Sequence, residues 1–133
     1  MSPVVVRFPV PADRAFGYLA DPRNRPDWQS SLRAVADVRR QGAAWTDVTV
    51  VPGVRARMRT TASEPPYRWA EEGVQGPFRA RLELRFEPVG ERACLVSADF
   101  EVRGLALGRL ISAVARPAVA ADLRRAARLV SSA

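Results

Sequence analysis

Residues 78–103 read FRARLELRFEPVGERACLVSADFEVR. Phe78, Ala80, Leu82, Leu84 and Phe86 alternate with Arg79, Arg81, Glu83, Arg85 and Glu87. Beyond Pro88-Val89-Gly90, the residues Cys94, Val96, Ala98, Phe100 and Val102 alternate with Leu95, Ser97, Asp99, Glu101 and Arg103. A period of two over this length predicts two half-buried strands joined by a short turn. Setting Phe86 opposite Cys94 places Leu84 against Val96, Leu82 against Ala98 and Ala80 against Phe100. The same register puts Arg81 beside Asp99 and Arg79 beside Glu101. A shift of two would oppose Glu83 to Asp99, and cross-strand pairs are worth ~0.2–1 kcal/mol each. A shift of one would mix the faces. The hairpin therefore has an apolar inner side and a charged outer side.

The same period extends upstream. Strands are predicted at Leu32–Arg39, Ala44–Val51, Val54–Ala62 and Tyr67–Val74, divided by Gln41-Gly42, Pro52-Gly53, Glu64-Pro65-Pro66 and Gly76-Pro77. The gaps are short, so successive strands should be antiparallel neighbours. In the strand from Val54, the residues Ala56, Met58, Thr60 and Ala62 face in, while Arg55, Arg57 and Arg59 face out. In the next, an inward Trp69 brings Tyr67 and Glu71 with it. The strand from Ala44 has two readings. A two- or four-residue turn at Pro52-Gly53 puts Asp47 opposite Met58 and Trp45 opposite Thr60, both inside. A three- or five-residue turn puts Asp47 outside and Val48 and Val50 inside. The first is slightly preferred.

Helical segments flank the strands. Val4–Phe8 reads as a first strand, and Pro11 opens a helix carrying Phe16 and Leu19. Asp21-Pro22 closes it and caps a second helix, which Pro26 keeps brief. From Leu105 to Val130 the period is helical again, with Val119, Leu123, Ala126, Ala127 and Val130 on one face. Pro117 should bend or divide this helix. A curved antiparallel sheet needs a cover for its concave side, and this helix is the one element long enough to supply it.

The chain has 133 residues and a net charge of +7; all 21 of its Lys-plus-Arg residues are Arg, His is absent, and Cys94 is the one cysteine. That length suits one domain, 1–133. Without His there is no imidazole base or His metal ligand, and one Cys excludes an intrachain disulfide. Without Lys there is no Schiff-base chemistry and no P-loop. No apolar run spans a membrane, and Met1 to Val10 lacks a signal-peptide pattern, so a cytoplasmic location is expected, with no metal and no cofactor. Arg55, Arg57 and Arg59 form an outward basic row, yet no aromatic residues interleave with them as a single-strand platform requires. A specific nucleic-acid partner is therefore not expected.

Several segments carry a resemblance. They are VRFPVPADRAF (residues 6–16, with Val5), YLADPRN (18–24) with Pro26-Asp27-Trp28, EPPYRW (64–69), Gly76-Pro77-Phe78 and RFEP (85–88). Together with the final helix they resemble the START-like, or helix-grip, superfamily, and in particular its bacterial polyketide cyclase/dehydrase branch. The resemblance implies an α+β fold in which a seven-stranded antiparallel sheet wraps a long C-terminal helix, with two short helices after the first strand. It also implies an elongated cavity between sheet and helix that takes an apolar or amphipathic small molecule.

The inward positions then name the expected lining: Trp28, Trp45, Met58, Thr60, Trp69, Leu82, Leu84, Phe100, Val114 and Ala118, with Leu123 deeper on the helix. Glu71 is the candidate catalytic acid, because an inward carboxylate in an apolar mouth would have a raised pKa. Its plainer role is to reach water or pair with an arginine. Asp47 is the second candidate carboxylate, about two strand spacings (~10 Å) away. Thr60 is read as a ligand contact or a strand filler, the tryptophans as core or as stacking surfaces, and Cys94 as a small core residue. Aromatase/cyclases of the superfamily resemble one another in a pocket Arg with Ser and Tyr; the matching strand here offers only Ala56, Met58 and Thr60. The expected role is carriage of a polyketide- or lipid-like molecule. A cyclase or dehydratase-like enzyme and an Arg-rich interaction module are the alternatives. The first two strands leave exposed edges through which a homodimer could pair.

Overall fold

The computed structural model describes residues 3–132; Met1, Ser2 and Ala133, part of the expected 1–133 unit, lie outside them. In chain order the elements are β1 (Val4–Phe8), α1 (Ala12–Leu19), a 3-10 turn (Pro22–Asn24), α2 (Arg25–Trp28), β2 (Leu32–Arg39), β3 (Ala44–Thr49), β4 (Arg55–Glu64), β5 (Arg68–Gln75), β6 (Phe78–Val89), β7 (Ala93–Arg103) and α3 (Gly108–Ser131). A second 3-10 turn, Arg40–Gly42, joins β2 to β3. The seven strands form one antiparallel sheet in the order β1-β7-β6-β5-β4-β3-β2, with α3 packed on β1 and β7. This is the helix-grip arrangement, and β1 and β2 are its edges.

The inner face of the 78–103 hairpin is as the alternation requires, but its register is two residues away from the expected one. Phe86 pairs with Val96, Leu84 with Ala98, Leu82 with Phe100 and Arg81 with Glu101, so Glu83 lies opposite Asp99. The reason sits on the neighbouring strand. Arg68 of β5 donates to Glu83 Oε2 at 2.8 Å, and Arg85 donates to Oε1 at 2.9 Å. Burial works against the Glu83 charge, but the two guanidiniums more than offset it and hold the carboxyl below its usual pKa. With its charge neutralised from β5, Glu83 no longer penalises this register.

The β3–β4 turn has the even length that puts Trp45 and Asp47 inside. Thr49 N donates to Val54 O at 3.1 Å, which makes a four-residue loop of 50–53. Trp45 pairs with Met58 and Asp47 with Ala56, again two residues from the expected partners. Tyr67 is 60% exposed instead of inward, because it lies in the Glu64–Tyr67 turn ahead of β5.

Helix α3 is continuous through Pro117 and begins three residues later than the periodicity suggested. The delay comes from Gly104, Leu105 and Ala106, all at positive φ. A Cβ on Gly104 would lie 2.6 Å from Pro77 O, and one on Gly108 would lie 2.0 Å from Val102 O. The helix start is therefore pressed against the end of β7. Ser112 fastens it there by accepting from Val102 N at 2.9 Å and donating to Gly108 O at 2.8 Å. Leu123, Ala126, Ala127 and Val130 are buried against Phe8, Phe16, Leu19, Phe86, Cys94 and Val96. Among the described residues, no helix is long and apolar enough to cross a membrane.

Candidate functional site

The sheet and α3 close tightly at one end and part at the other. The tight end holds α1 and the aromatic core, in which Phe16 meets Phe86 edge-on at 5.2 Å and Trp69 at 6.4 Å. The open end encloses a cavity of about 500 Å³, a size that suits a small organic ligand. Met58, Leu82, Leu84 and Phe100 line its sheet side, and Ile111, Ala115, Ala118, Val119 and Leu123 line its helix side.

The boundary between the two ends is polar and almost wholly buried. Asp21 accepts from Arg23 N at 3.0 Å, Pro22 opens the 3-10 turn, and Asn24 donates to Tyr18 O at 3.1 Å. These contacts start α2 at Arg25, and the i, i+3 spacing turns Arg25 and Trp28 inward together. Arg25 is 1% exposed. It donates to Glu71 Oε2 at 2.9 Å and to Oε1 at 2.5 Å, and its Cζ lies 5.1 Å from the Trp28 ring and 5.6 Å from the Trp45 ring. Trp69 Nε1 adds a third donor to Glu71 at 3.0 Å. Burial opposes the Arg25 charge, but Glu71 beside it more than offsets this, and the pKa lies above the usual guanidinium value. Arg25 Nε and Trp28 Nε1 are buried without hydrogen-bond partners among the described residues, a cost this cluster carries.

Asp47 has a different environment. Oδ1 accepts from Trp45 Nε1 at 2.8 Å, and Oδ2 has no hydrogen-bond partner among the described residues. Burial pushes its pKa from 3.8 to about 6; Glu71 adds to the rise, while Arg25 and the Trp45 bond oppose it. Asp47 is thus a cavity-wall carboxyl that changes charge near neutral pH.

The structure brings together most of the residues nominated as cavity lining, while Trp45, Trp69, Thr60 and Val114 stand elsewhere. Trp28, Met58, Leu82, Leu84, Phe100, Ala118, Glu71 and Asp47 line the cavity. Trp45 and Trp69 stand behind it, stacked on each other at 6.4 Å, and serve the two carboxylates as donors. Thr60 is turned to the β2–β3 connection, where it donates to Gly42 O at 2.9 Å. Val114 is 71% exposed, because the cavity stripe on α3 runs through Ile111, Ala115 and Ala118 and leaves Val114 outside. Glu71 is one half of a buried ion pair instead of an isolated acid. Cys94 is fully buried, with its thiol pKa raised by that burial. Among the described residues, no group of His, Cys, Asp or Glu is placed to hold a metal ion.

Arg25 is the residue the strand pattern did not nominate. The inward strand positions lack an arginine, and α2 supplies one from outside the sheet. Its signal in the sequence was the spacing Arg25-Pro26-Asp27-Trp28, which puts a guanidinium on the face of an inward tryptophan, combined with an inward Glu71 that needed a partner.

Residues 3–131 match the family model described as polyketide cyclase/dehydrase and lipid transport. No curated protein matches the chain. Among solved structures, a protein from Deinococcus radiodurans is 23% identical with a TM-score of 0.68, covering 93% of this chain and 91% of that one. A START superfamily protein from Mycobacterium smegmatis is 12% identical with a TM-score of 0.76, covering 96% and 94%. The Zhui aromatase/cyclase from Streptomyces sp. R1128 is 16% identical with a TM-score of 0.73, covering 96% and 90%. At these identities the structures share the fold.

Proposed function

The chain belongs to the polyketide cyclase/dehydrase and lipid transport family, a hydrophobic ligand-binding fold, and from that premise we propose that it binds and carries an apolar or amphipathic small molecule. The observation that supports this most is the cavity of about 500 Å³ itself. Its walls are aliphatic and aromatic over most of their area, with the Asp47 carboxyl at one boundary. Such a combination holds an apolar body by desolvation and orients one polar group by a hydrogen bond. A cytoplasmic location goes with this reading.

The test is a fluorescence titration with N-phenyl-1-naphthylamine, a neutral probe that brightens when desolvated. Saturable binding is expected. Ala80→Leu and Ala115→Leu, which fill the cavity from opposite walls, should each weaken it by about ten-fold or more while the protein stays folded. Absence of saturable binding, or filled variants that bind as well as the parent, overturns the reading.

A second reading follows from Asp47. A carboxyl with a pKa of about 6 and a free oxygen on a cavity wall has the properties of a general acid or base at neutral pH. Under a cyclase or dehydratase-like activity Asp47 would move the proton. Glu71, with its oxygens occupied by Arg25 and Trp69, would position Arg25. Loss of turnover in Asp47→Asn with probe binding retained supports this reading; unchanged turnover of a polyketone substrate removes it.

A further inference from the structure

The open end of the molecule is built from four segments that the antiparallel topology gathers on one side: residues 29–33 before and into β2, 50–57 at the β3–β4 turn, 75–79 at the β5–β6 turn, and 103–110 between β7 and α3. These segments contain Arg33, Arg55, Arg57, Arg79, Arg103 and Arg109, and no Asp or Glu. All six arginines are exposed. Arg103 is paired with Glu101, one row inward, and the other five have no ion pair among the described residues. Arg79 and Arg103 are direct cross-strand partners, a like-charge pairing that a sheet ordinarily avoids. The opposite end is mixed: Arg39, Arg40 and Arg92 stand there with Asp13, Glu64, Glu87 and Glu91.

Two of these segments, 50–57 and 103–110, and the first turns of α3 also display large apolar side chains to solvent. Val50 and Val51 are exposed at the tip of the β3–β4 turn, and Leu105, Leu107, Leu110 and Val114 are exposed along the start of α3, each by about half or more. Leu107, Leu110 and Val114 follow i, i+3, i+7 and form one stripe. Ile111 and Ala115, one position round the helix, line the cavity. The apolar wall therefore continues out of the cavity and over its lip. Six exposed aliphatic side chains gathered at one end are more than scattered exposure accounts for.

We propose that this rim docks on an anionic lipid bilayer. The leucines and valines enter the headgroup–acyl boundary, and the surrounding arginines meet the lipid phosphates while their stems cover apolar surface. An acidic protein would satisfy the arginines but leave the six aliphatic side chains without a stated complement, and a second copy of the chain would bring its own arginines against these. A bilayer with anionic headgroups answers both features with one surface. This inference goes beyond ligand carriage and does not depend on it, because vesicle binding is measured without any cavity ligand.

The experiment is co-sedimentation of the full chain with phosphatidylcholine vesicles, with and without phosphatidylglycerol. Binding to the phosphatidylglycerol vesicles is expected, falling as salt is raised. Arg79→Gln/Arg109→Gln should weaken it by about ten-fold or more, as should Leu107→Ser/Leu110→Ser; Val50→Ser/Val51→Ser tests the rim independently of α3. Arg40→Gln/Arg92→Gln, at the opposite end, should leave it unchanged. Absence of phosphatidylglycerol-dependent binding overturns the proposal, as does equal loss in the opposite-end pair. A Leu107→Ser/Leu110→Ser protein that keeps vesicle binding but changes from dimer to monomer by light scattering also overturns it and assigns the rim to a contact between copies. Probe binding in the cavity is followed in the same variants, so failure of one inference is distinguishable from failure of the other.

Discussion

Glu71 and Asp47 are two carboxylates on adjacent parts of the same inner face, and the protein treats them in opposite ways. Glu71 receives three N–H donors from Arg25 and Trp69. Asp47 receives one from Trp45 and keeps an oxygen free. The difference arises from α2, which delivers a single guanidinium. It sits squarely on Glu71 and acts on Asp47 only at a distance, where burial prevails. One carboxylate is thereby a structural tie between α2 and the sheet, and the other is an adjustable group on the cavity wall. The contrast coincides with the division of the molecule into a packed end and a hollow end.

The largest expected effect breaks the tie. Glu71→Gln leaves a buried guanidinium without its counter-charge, and should destabilise the fold by about 4 kcal/mol. Pairing it with Arg25→Met removes both charges and should recover most of that loss, as read by urea denaturation. A double variant as unstable as the single one would show that the pair is not the source of the effect.

The two ends should also differ in what a lost side chain costs. Leu19→Ala, in the packed end where Leu19 is fully buried, should cost about 3.5 kcal/mol. Ile111→Ala, at the half-buried cavity wall, should cost less than about half of that, since one side of the side chain already faces open space. Equal losses would mean that the hollow end is as tightly packed as the other.

Asp47→Asn gives the smallest of the three effects, and its sign depends on pH. The folded pKa of about 6 lies above the ordinary 3.8, so the native state holds its proton longer than the unfolded chain. Stability from this group is fully present below about pH 4 and is lost as pH rises through about 6. The asparagine variant escapes that loss. It should equal the parent near pH 3 and exceed it by up to about 3 kcal/mol above pH 7. A difference independent of pH would place the effect in packing instead of charge.

The faces of β6 and β7 were legible from alternation alone, because a period of two assigns every side chain to one side or the other; β3 kept two readings until its turn length was in place, and the bulge at Thr60/Ala62 and the turn at Tyr67 broke the period in β4 and ahead of β5. Register was less legible. The 78–103 hairpin, considered as a pair, disfavours Glu83 opposite Asp99, but the arginine that neutralises Glu83 comes from β5. A similar limit concealed Arg25. An arginine in a four-residue helix with a proline reads as solvated until the carboxylate and two tryptophan rings around it are in place. Val114 failed for a different reason: a cavity stripe one helix face wide excludes a residue at its margin, and the helical period does not set that width. Glu71 and Asp47 were both found on the inner face, while their different roles depended on contacts between elements far apart in sequence.

The hollow end is expected to take a ligand and the packed end to take none. Methyl NMR during titration with N-phenyl-1-naphthylamine tests it most directly. Saturable shifts are expected at Leu82, Ile111 and Val119, with Leu19, Val96 and Val130 unmoved. Shifts confined to the exposed leucines of the rim, or spread equally over both ends, would contradict it.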